Sequence, residues 1–251
     1  TINGRQARLI LDTGAESSII SVAAAKRLGV TTKYDFDRSM HGIGEAVQTG
    51  DARLDGMALG GATLNFPRVL VGPIALNLGS VAPDGLLGAS LLAEFDLDLD
   101  LPNRRLDLYE RMDCPSFTPP WSGHFTTLET TRSLSSHPFF PIRLNGRTLS
   151  ASLDTGAQRT VLSAAAAKRA GIGAASRLPG AEIRAQGATG ETLPAEMHAL
   201  RLSVGDISGA MAVMVTPLAL PNDIDALLGA DFLQTHRVWL SYGSRRLFVA
   251  N

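Results

Sequence analysis

The chain has 251 residues, 45% of them hydrophobic, with 23 basic side chains against 24 acidic ones. This length and apolar content sustain one large domain or two small ones. A net charge of −1 excludes the basic footprint that nucleic acid or an anionic membrane surface requires, so neither is expected as a partner. Cys114 is the only cysteine, which rules out an internal disulfide and a cysteine-rich metal site; a periplasmic or secreted home stays compatible with it and is the one favoured. No apolar run approaches the roughly 20 residues of a membrane helix, so no membrane segment is expected. Thr1-Ile2-Asn3-Gly4 reads as a strand end entering a turn, and a targeting segment or propeptide upstream fits that opening.

In chain order, residues 8–11 form a short apolar run that ends in Asp12-Thr13-Gly14-Ala15, the pattern of a strand entering a turn. Ser21 then stands before an Ala-rich stretch closed by Gly29, the signature of an N-capped helix with a left-handed terminus. His41-Gly42-Ile43-Gly44-Glu45 reads as a hairpin tip, and residues 69–71 as a strand. Leu86-Leu87-Gly88-Ala89 leads into a second short helix. Asp96-Leu97-Asp98-Leu99-Asp100-Leu101 alternates strictly, which predicts a half-buried strand with a wet acidic face rather than a metal loop. The Pro-rich and Ser/Thr-rich residues 113–136 read as a linker with room for an extended segment.

The chain then repeats itself. Asn3-Gly4-Arg5 through Asp12-Thr13-Gly14-Ala15 matches Asn145-Gly146-Arg147 through Asp154-Thr155-Gly156-Ala157. The same spacing carries Ser21 and its Ala-rich stretch onto Ser163 and Gly29 onto Gly171. One residue shorter, it carries Leu86-Leu87-Gly88-Ala89 onto Leu227-Leu228-Gly229-Ala230 and Arg104-Arg105-Leu106 onto Arg245-Arg246-Leu247. A repeat of this length is too long for a solenoid unit and suits two homologous lobes, residues 1–112 and 137–251. In the second copy, residues 211–215 and 237–240 read as strands and Gln186-Gly187-Ala188-Thr189-Gly190-Glu191 as a second hairpin tip. The expected fold is all-β with a few short helices.

An apolar strand ending in Asp-Thr-Gly-Ala, twice, followed by a Gly-containing tip and then an apolar-apolar-Gly segment, resembles the retropepsin-like branch of the aspartic proteases over nearly the whole chain. Asp84-Gly85-Leu86-Leu87-Gly88 and Leu227-Leu228-Gly229-Ala230-Asp231-Phe232-Leu233 also have a pepsin-like look. The resemblance implies two retropepsin-like β-barrel lobes forming a bilobal aspartic protease, with Asp12 and Asp154 as the catalytic pair. Thr13, Gly14, Thr155 and Gly156 would support them. Ile10, Ser152, Leu86 and Leu227 would line a substrate cleft, beneath flaps built on Gly42, Ile43, Gly44 and on Gly187, Ala188, Thr189. It further implies a polypeptide substrate and no cofactor; no His pair has ligand spacing, so no metal is expected, and the duplication predicts a monomer acting as a pseudo-dimer, unlike the retroviral enzymes that dimerise.

The chemistry of such a pair is general acid–base catalysis on water. Two carboxylates about 3 Å apart share one proton, so one member activates water while the other polarises the scissile carbonyl. Ala15 and Ala157 stand where pepsin-like enzymes often carry a hydroxyl, and losing that bond to the charged form predicts an optimum less acidic than pepsin's. Retroviral proteases carry Arg after the apolar-apolar-Gly, whereas this chain has Ala89 and Ala230. A lone Asp-Thr-Gly is ordinarily just a turn, and Asp84 and Asp225 are ordinarily satisfied structural carboxylates. The competing reading is a catalytically silent peptide-binding or scaffold protein of the same fold.

Overall fold

The computed structural model describes residues 1–41, 46–65, 67–75, 82–132, 137–180, 183–221 and 224–250. The described chain is mostly β with four short α-helices, and it divides into two compact units. The first comprises Thr1–Leu91 with Gln186–Leu193, the second Leu92–Ala185 with Pro194–Asn251.

In the first unit a six-stranded sheet runs Leu9–Leu11, Gly85–Leu87, Ile19–Ser21, Arg68–Gly72, Ala46–Arg53, Thr32–His41. The strand Gly85–Leu87 lies parallel to Leu9–Leu11 on one side and antiparallel to Ile19–Ser21 on the other. It therefore threads between the two strands that bracket the Asp12 turn. The core is aliphatic, with Ile19, Ile20, Leu28, Leu54 and Val71 essentially sealed from solvent. Ser21 caps the helix Val22–Leu28 by accepting from the Ala24 N–H, and Gly29 ends it at φ 69°. That is the Ser-to-Gly punctuation the sequence carries, because only a residue free of a Cβ adopts that left-handed turn without strain.

The second unit repeats the arrangement and adds a sheet. Its eight-stranded sheet runs Thr131–Arg132, Pro138–Leu144, Arg147–Leu153, Ala226–Leu228, Val161–Ser163, Ile207–Thr216, Thr192–Val204, Ile183–Gln186, with Pro138–Leu144 also bonding Thr192–Val204. Ala226–Leu228 again lies parallel to the strand before the Asp turn and antiparallel to the one after it. Ser163 caps the helix Ala164–Arg169, and Gly171 takes φ 70° just beyond it. Short helices follow both Leu-Leu-Gly segments, at Ala89–Leu92 and Ala230–Leu233.

The added sheet has five strands, Arg105–Glu110, Phe95–Asp100, Val238–Ser241, Arg246–Ala250 and Phe125–Glu129. Here one expectation fails. The alternating acidic strand is a strand, but its acidic face is dry: Asp96, Asp98 and Asp100 are 0%, 1% and 7% exposed. The cause is the chain after Glu110, which returns over that face. Phe117 packs on Trp239 and Phe248, Tyr109 stacks on Trp239, and the Trp121 indole donates to Asp98 Oδ2 at 3.2 Å. Arg237 supplies the counter-charge, its Nε and Nη2 donating to the two Asp98 oxygens at 2.8 and 2.5 Å while its guanidinium lies 4.9 Å over the Trp121 ring. Asp100 takes the backbone and side-chain N–H groups of Asn103.

Asp96 is served least well. Among the described residues neither carboxyl oxygen has a partner in full hydrogen-bond geometry, although several donors lie near. Burial pushes its pKa above the ordinary range, drawn back only in part by Ser241, Trp239 and the backbone at Met112 and Gly243. A carboxyl whose folded pKa is raised favours folding below its unfolded pKa and loses that contribution as pH rises through the folded value. Asp96→Asn, which stays neutral at every pH, is therefore expected to change stability little in acid and to raise it at neutral pH, where the native carboxyl must either hold its proton or bury a charge. Urea midpoints at the two pH values check this; an equal effect at both would contradict it.

Candidate functional site

The Asp12 turn begins where the strand Leu9–Leu11 leaves the sheet, with the Asp12 N–H still bound to Leu87 O at 3.0 Å. Its carboxylate is then fixed from below, since Gly14 N and Ala15 N both donate to Asp12 Oδ1, at 3.0 and 2.9 Å. The second unit reproduces this bond for bond. Asp154 N donates to Leu228 O, and Gly156 N and Ala157 N donate to Asp154 Oδ1 at 2.9 and 3.0 Å. Charge-assisted bonds from backbone N–H groups orient a carboxylate more tightly than neutral ones. Asp154 is 8% exposed and Thr13 is 1% exposed; Asp12, Thr155 and Gly14 are half-buried and Gly156 is exposed.

Each turn is locked to the Leu-Leu-Gly segment behind it. Ala89 N donates to Ala15 O and Ala230 N to Ala157 O, both at 2.8 Å. The approach is close enough to require glycine. A Cβ on Gly88 would sit 2.7 Å from Ser17 O, and one on Gly229 would sit 2.5 Å from the Arg159 carbonyl. Both are well inside contact distance, so the two glycines that the repeat pairs serve the same purpose.

A further tie was not read from the sequence. In the first unit Ser18 Oγ accepts from Gly88 N at 2.9 Å and meets Ser90 Oγ, which in turn accepts from Ser18 N. In the second, Thr160 Oγ1 accepts from Gly229 N and donates to Asp231, which also takes Thr160 N. Ser18 and Thr160 correspond in the repeat, as do Ser90 and Asp231, so a search for polar residues matched between the copies would have found them.

The residues proposed to line a cleft stand at matched register positions, Ile10 opposite Leu86 and Ser152 opposite Leu227. Leu86 and Ser152 are buried, and the Ser152 hydroxyl is satisfied by Pro138 O at 3.0 Å; Ile10 and Leu227 keep partial exposure. Gly42, Ile43 and Gly44 lie outside the described residues. Gly187, Ala188 and Thr189 belong to a tight turn in which Gly187 N donates to Glu191 O, Gly190 N to Gly187 O, and Gly190 takes φ 88°. This turn belongs to the first compact unit, where Ala75 N donates to Ala188 O at 2.8 Å.

Asp84 and Asp225 are structural. Asp84 takes Arg8 N and an ion pair from Arg27; burial pushes its pKa up, but those partners outweigh it and hold the carboxyl below its usual value. Asp225 takes the Ser150 N–H and hydroxyl and pairs with Arg169.

Two glycine-locked Asp-Thr-Gly turns on a mostly β scaffold define the aspartic protease class of fold. The chain belongs to the aspartyl protease family, whose sequence model matches residues 1–91 and 140–232. Among solved structures it is similar to the EIAV protease complexed with the inhibitor HBY-793, at 24% identity over 41% of this chain and 91% of that one, with a TM-score of 0.33. It is similar also to a retropepsin-like aspartic protease from Rickettsia conorii, at 18% identity over 53% and 96% with a TM-score of 0.37. A third is the retroviral protease-like domain of Ddi1 from Leishmania major, at 19% identity over 40% and 77% with a TM-score of 0.29. No curated protein matches the chain. The family assignment rests on the sequence match over its two segments.

Proposed function

We propose that the chain is an aspartic endopeptidase in which Asp12 and Asp154 act as one dyad on a shared water. The supporting observation is the identity of the two turns: each carboxylate leaves a strand end, takes two backbone N–H bonds on Oδ1, and is locked through a glycine to a Leu-Leu-Gly segment. A binding or scaffold module gains nothing from keeping two such carboxylates, whose mutual repulsion costs stability. In this reading residues 1–112 and 137–251 act as the two lobes, joined by residues 113–136, and one chain suffices for activity. Thr13, Gly14, Thr155 and Gly156 hold the dyad. The tips around Gly42, Ile43 and Gly44 and around Gly187, Ala188 and Thr189 act as flaps over an extended polypeptide, with Ile10, Ser152, Leu86 and Leu227 along its path.

The dyad shares one proton and its titration belongs to the pair. The ionised member takes a proton from water, the protonated member donates to the scissile carbonyl, and the resulting tetrahedral adduct collapses as its nitrogen is protonated. No acyl-enzyme forms. Hydrolysis in 18O-labelled water is therefore expected to place solvent oxygen in each new carboxylate, with no product captured by added hydroxylamine. Formation of a hydroxamate would show a covalent nucleophile instead and overturn this mechanism.

A further inference from the structure

Away from the two Asp turns, the second unit carries a groove of about 380 Å³ between the strand segment Ile207–Ala212 and the helix that contains Asp231 and Phe232. Leu202, Val204, Ile207, Met211 and Phe232 form its apolar floor.

One wall is an open sheet edge. The two-residue turn between Val204 and Ile207 sets the register, so Ile207, Gly209 and Met211 exchange hydrogen bonds with Thr192–Val204 and the residues between them face the other way. Met214 confirms the phase, since its N–H reaches Thr160 O on that outer side. The outer neighbour, Val161–Ser163, covers only Met214–Thr216. The outward N–H and C=O groups of Ser208, Ala210 and Ala212 are thus without a strand partner among the described residues. Proteins ordinarily blunt such an edge with charge, proline or a bulge, yet Ile207–Val213 carries neither a charged residue nor a proline. Gly209 sits at its centre, and a Cβ there would meet nothing within 4 Å.

The acid in the groove is committed to local donors, whereas among the described residues the cations at this edge have no acid of their own. Asp231 is committed to Thr160 and Phe232 N, and the His236 ring is stacked on Phe232 with Nδ1 against Phe232 O. Arg159 lines the groove, and on the other face of the same edge Arg201 reaches Ser208 Oγ at 3.0 Å; among the described residues neither has an acidic partner.

We propose that this edge is a docking site for an extended polypeptide of acidic and apolar residues, which adds as a strand beside Ser208–Ala212. Its main chain bonds the outward groups of Ser208, Ala210 and Ala212, its apolar side chains enter the space above Gly209 and Met211, and its carboxylates face Arg159 and Arg201. The site is independent of hydrolysis by the dyad. A fluorescein-labelled decapeptide of alternating Glu and Leu tests it by anisotropy, in an Asp12→Asn background that keeps the peptide intact. The expected result is saturable binding, weakened about tenfold or more by Arg159→Glu, by Gly209→Leu and by replacing Glu with Lys in the peptide. Ala210→Pro, which removes an outward N–H at an edge position that tolerates proline, has the same effect. Each variant is to show the parent far-UV circular dichroism. No saturation by about 1 mM peptide, equal affinity for the Lys peptide, or binding indifferent to all three variants would overturn the proposal. Self-association of the chain that Gly209→Leu abolishes would also overturn it, by assigning the edge to a second copy.

Discussion

Asp12→Asn and Asp154→Asn are each expected to lower kcat for peptide hydrolysis by at least about a thousandfold, and the double variant to lose little more than either single one. Asn is nearly isosteric, and its Oδ1 can keep the two backbone N–H bonds that Asp12 and Asp154 accept from Gly14, Ala15, Gly156 and Ala157. The turns should therefore survive, leaving only the proton exchange altered. A dyad needs one base and one acid at once, so removing either carboxyl ends the cycle and removing the second has little left to remove. Steady-state kinetics with an internally quenched peptide, beside circular dichroism of each variant, measures both points. A single variant with near-wild-type turnover, or losses that multiply in the double variant, would mean that the carboxylates do not act as one unit.

The second large effect concerns stability. Arg237→Met is expected to cost about 3–5 kcal/mol, because it leaves Asp98 buried without its cation. Asp98 is 1% exposed and takes a forked pair of bonds from Arg237, so solvent cannot easily replace the guanidinium. The Trp121 indole bond remains but carries no full charge, and the stacking of Arg237 over that ring is lost as well. The double change Arg237→Met with Asp98→Leu should recover most of the loss, since an apolar pair in the same volume leaves no buried charge. Urea midpoints of the single and double variants decide it. A loss below about 1 kcal/mol for Arg237→Met would show that water reaches Asp98 after all.

These two effects differ in how far the sequence announces them. The two turns were legible because each copy vouches for the other: Asp12 and Asp154 sit at one spacing, with their helix caps Ser21 and Ser163 and the glycines 88 and 229 at matched places. The local punctuation was legible for the same reason that it works, since Gly29 and Gly171 stand where only a left-handed residue ends a helix cleanly. The buried Asp98 was not. Alternation says that two faces of a strand differ; it does not say which face is wet, and here Phe117 and Trp121 from a stretch that reads as a linker cover the acidic one. Arg237, the partner of Asp98, is distant in the chain and nothing local marks it. The ties from Ser18 to Ser90 and from Thr160 to Asp231 hid for another reason. Their chemistry differs between copies, hydroxyl with hydroxyl in one and hydroxyl with carboxylate in the other, so identity matching passes over them. The free edge at Ser208–Ala212 depends on where Val161–Ser163 stops pairing, which is set by packing and not by any residue in the strand itself.

Cleavage of a diverse peptide library, read by mass spectrometry from about pH 3 to 8 for the wild-type chain, Asp12→Asn and Asp154→Asn, tests the central claim most directly. The account predicts defined internal cuts by the wild type that disappear in both variants. Cuts that persist in either variant, or a wild-type chain that leaves the library intact across the whole range, would contradict it and favour a peptide-binding protein on the same fold.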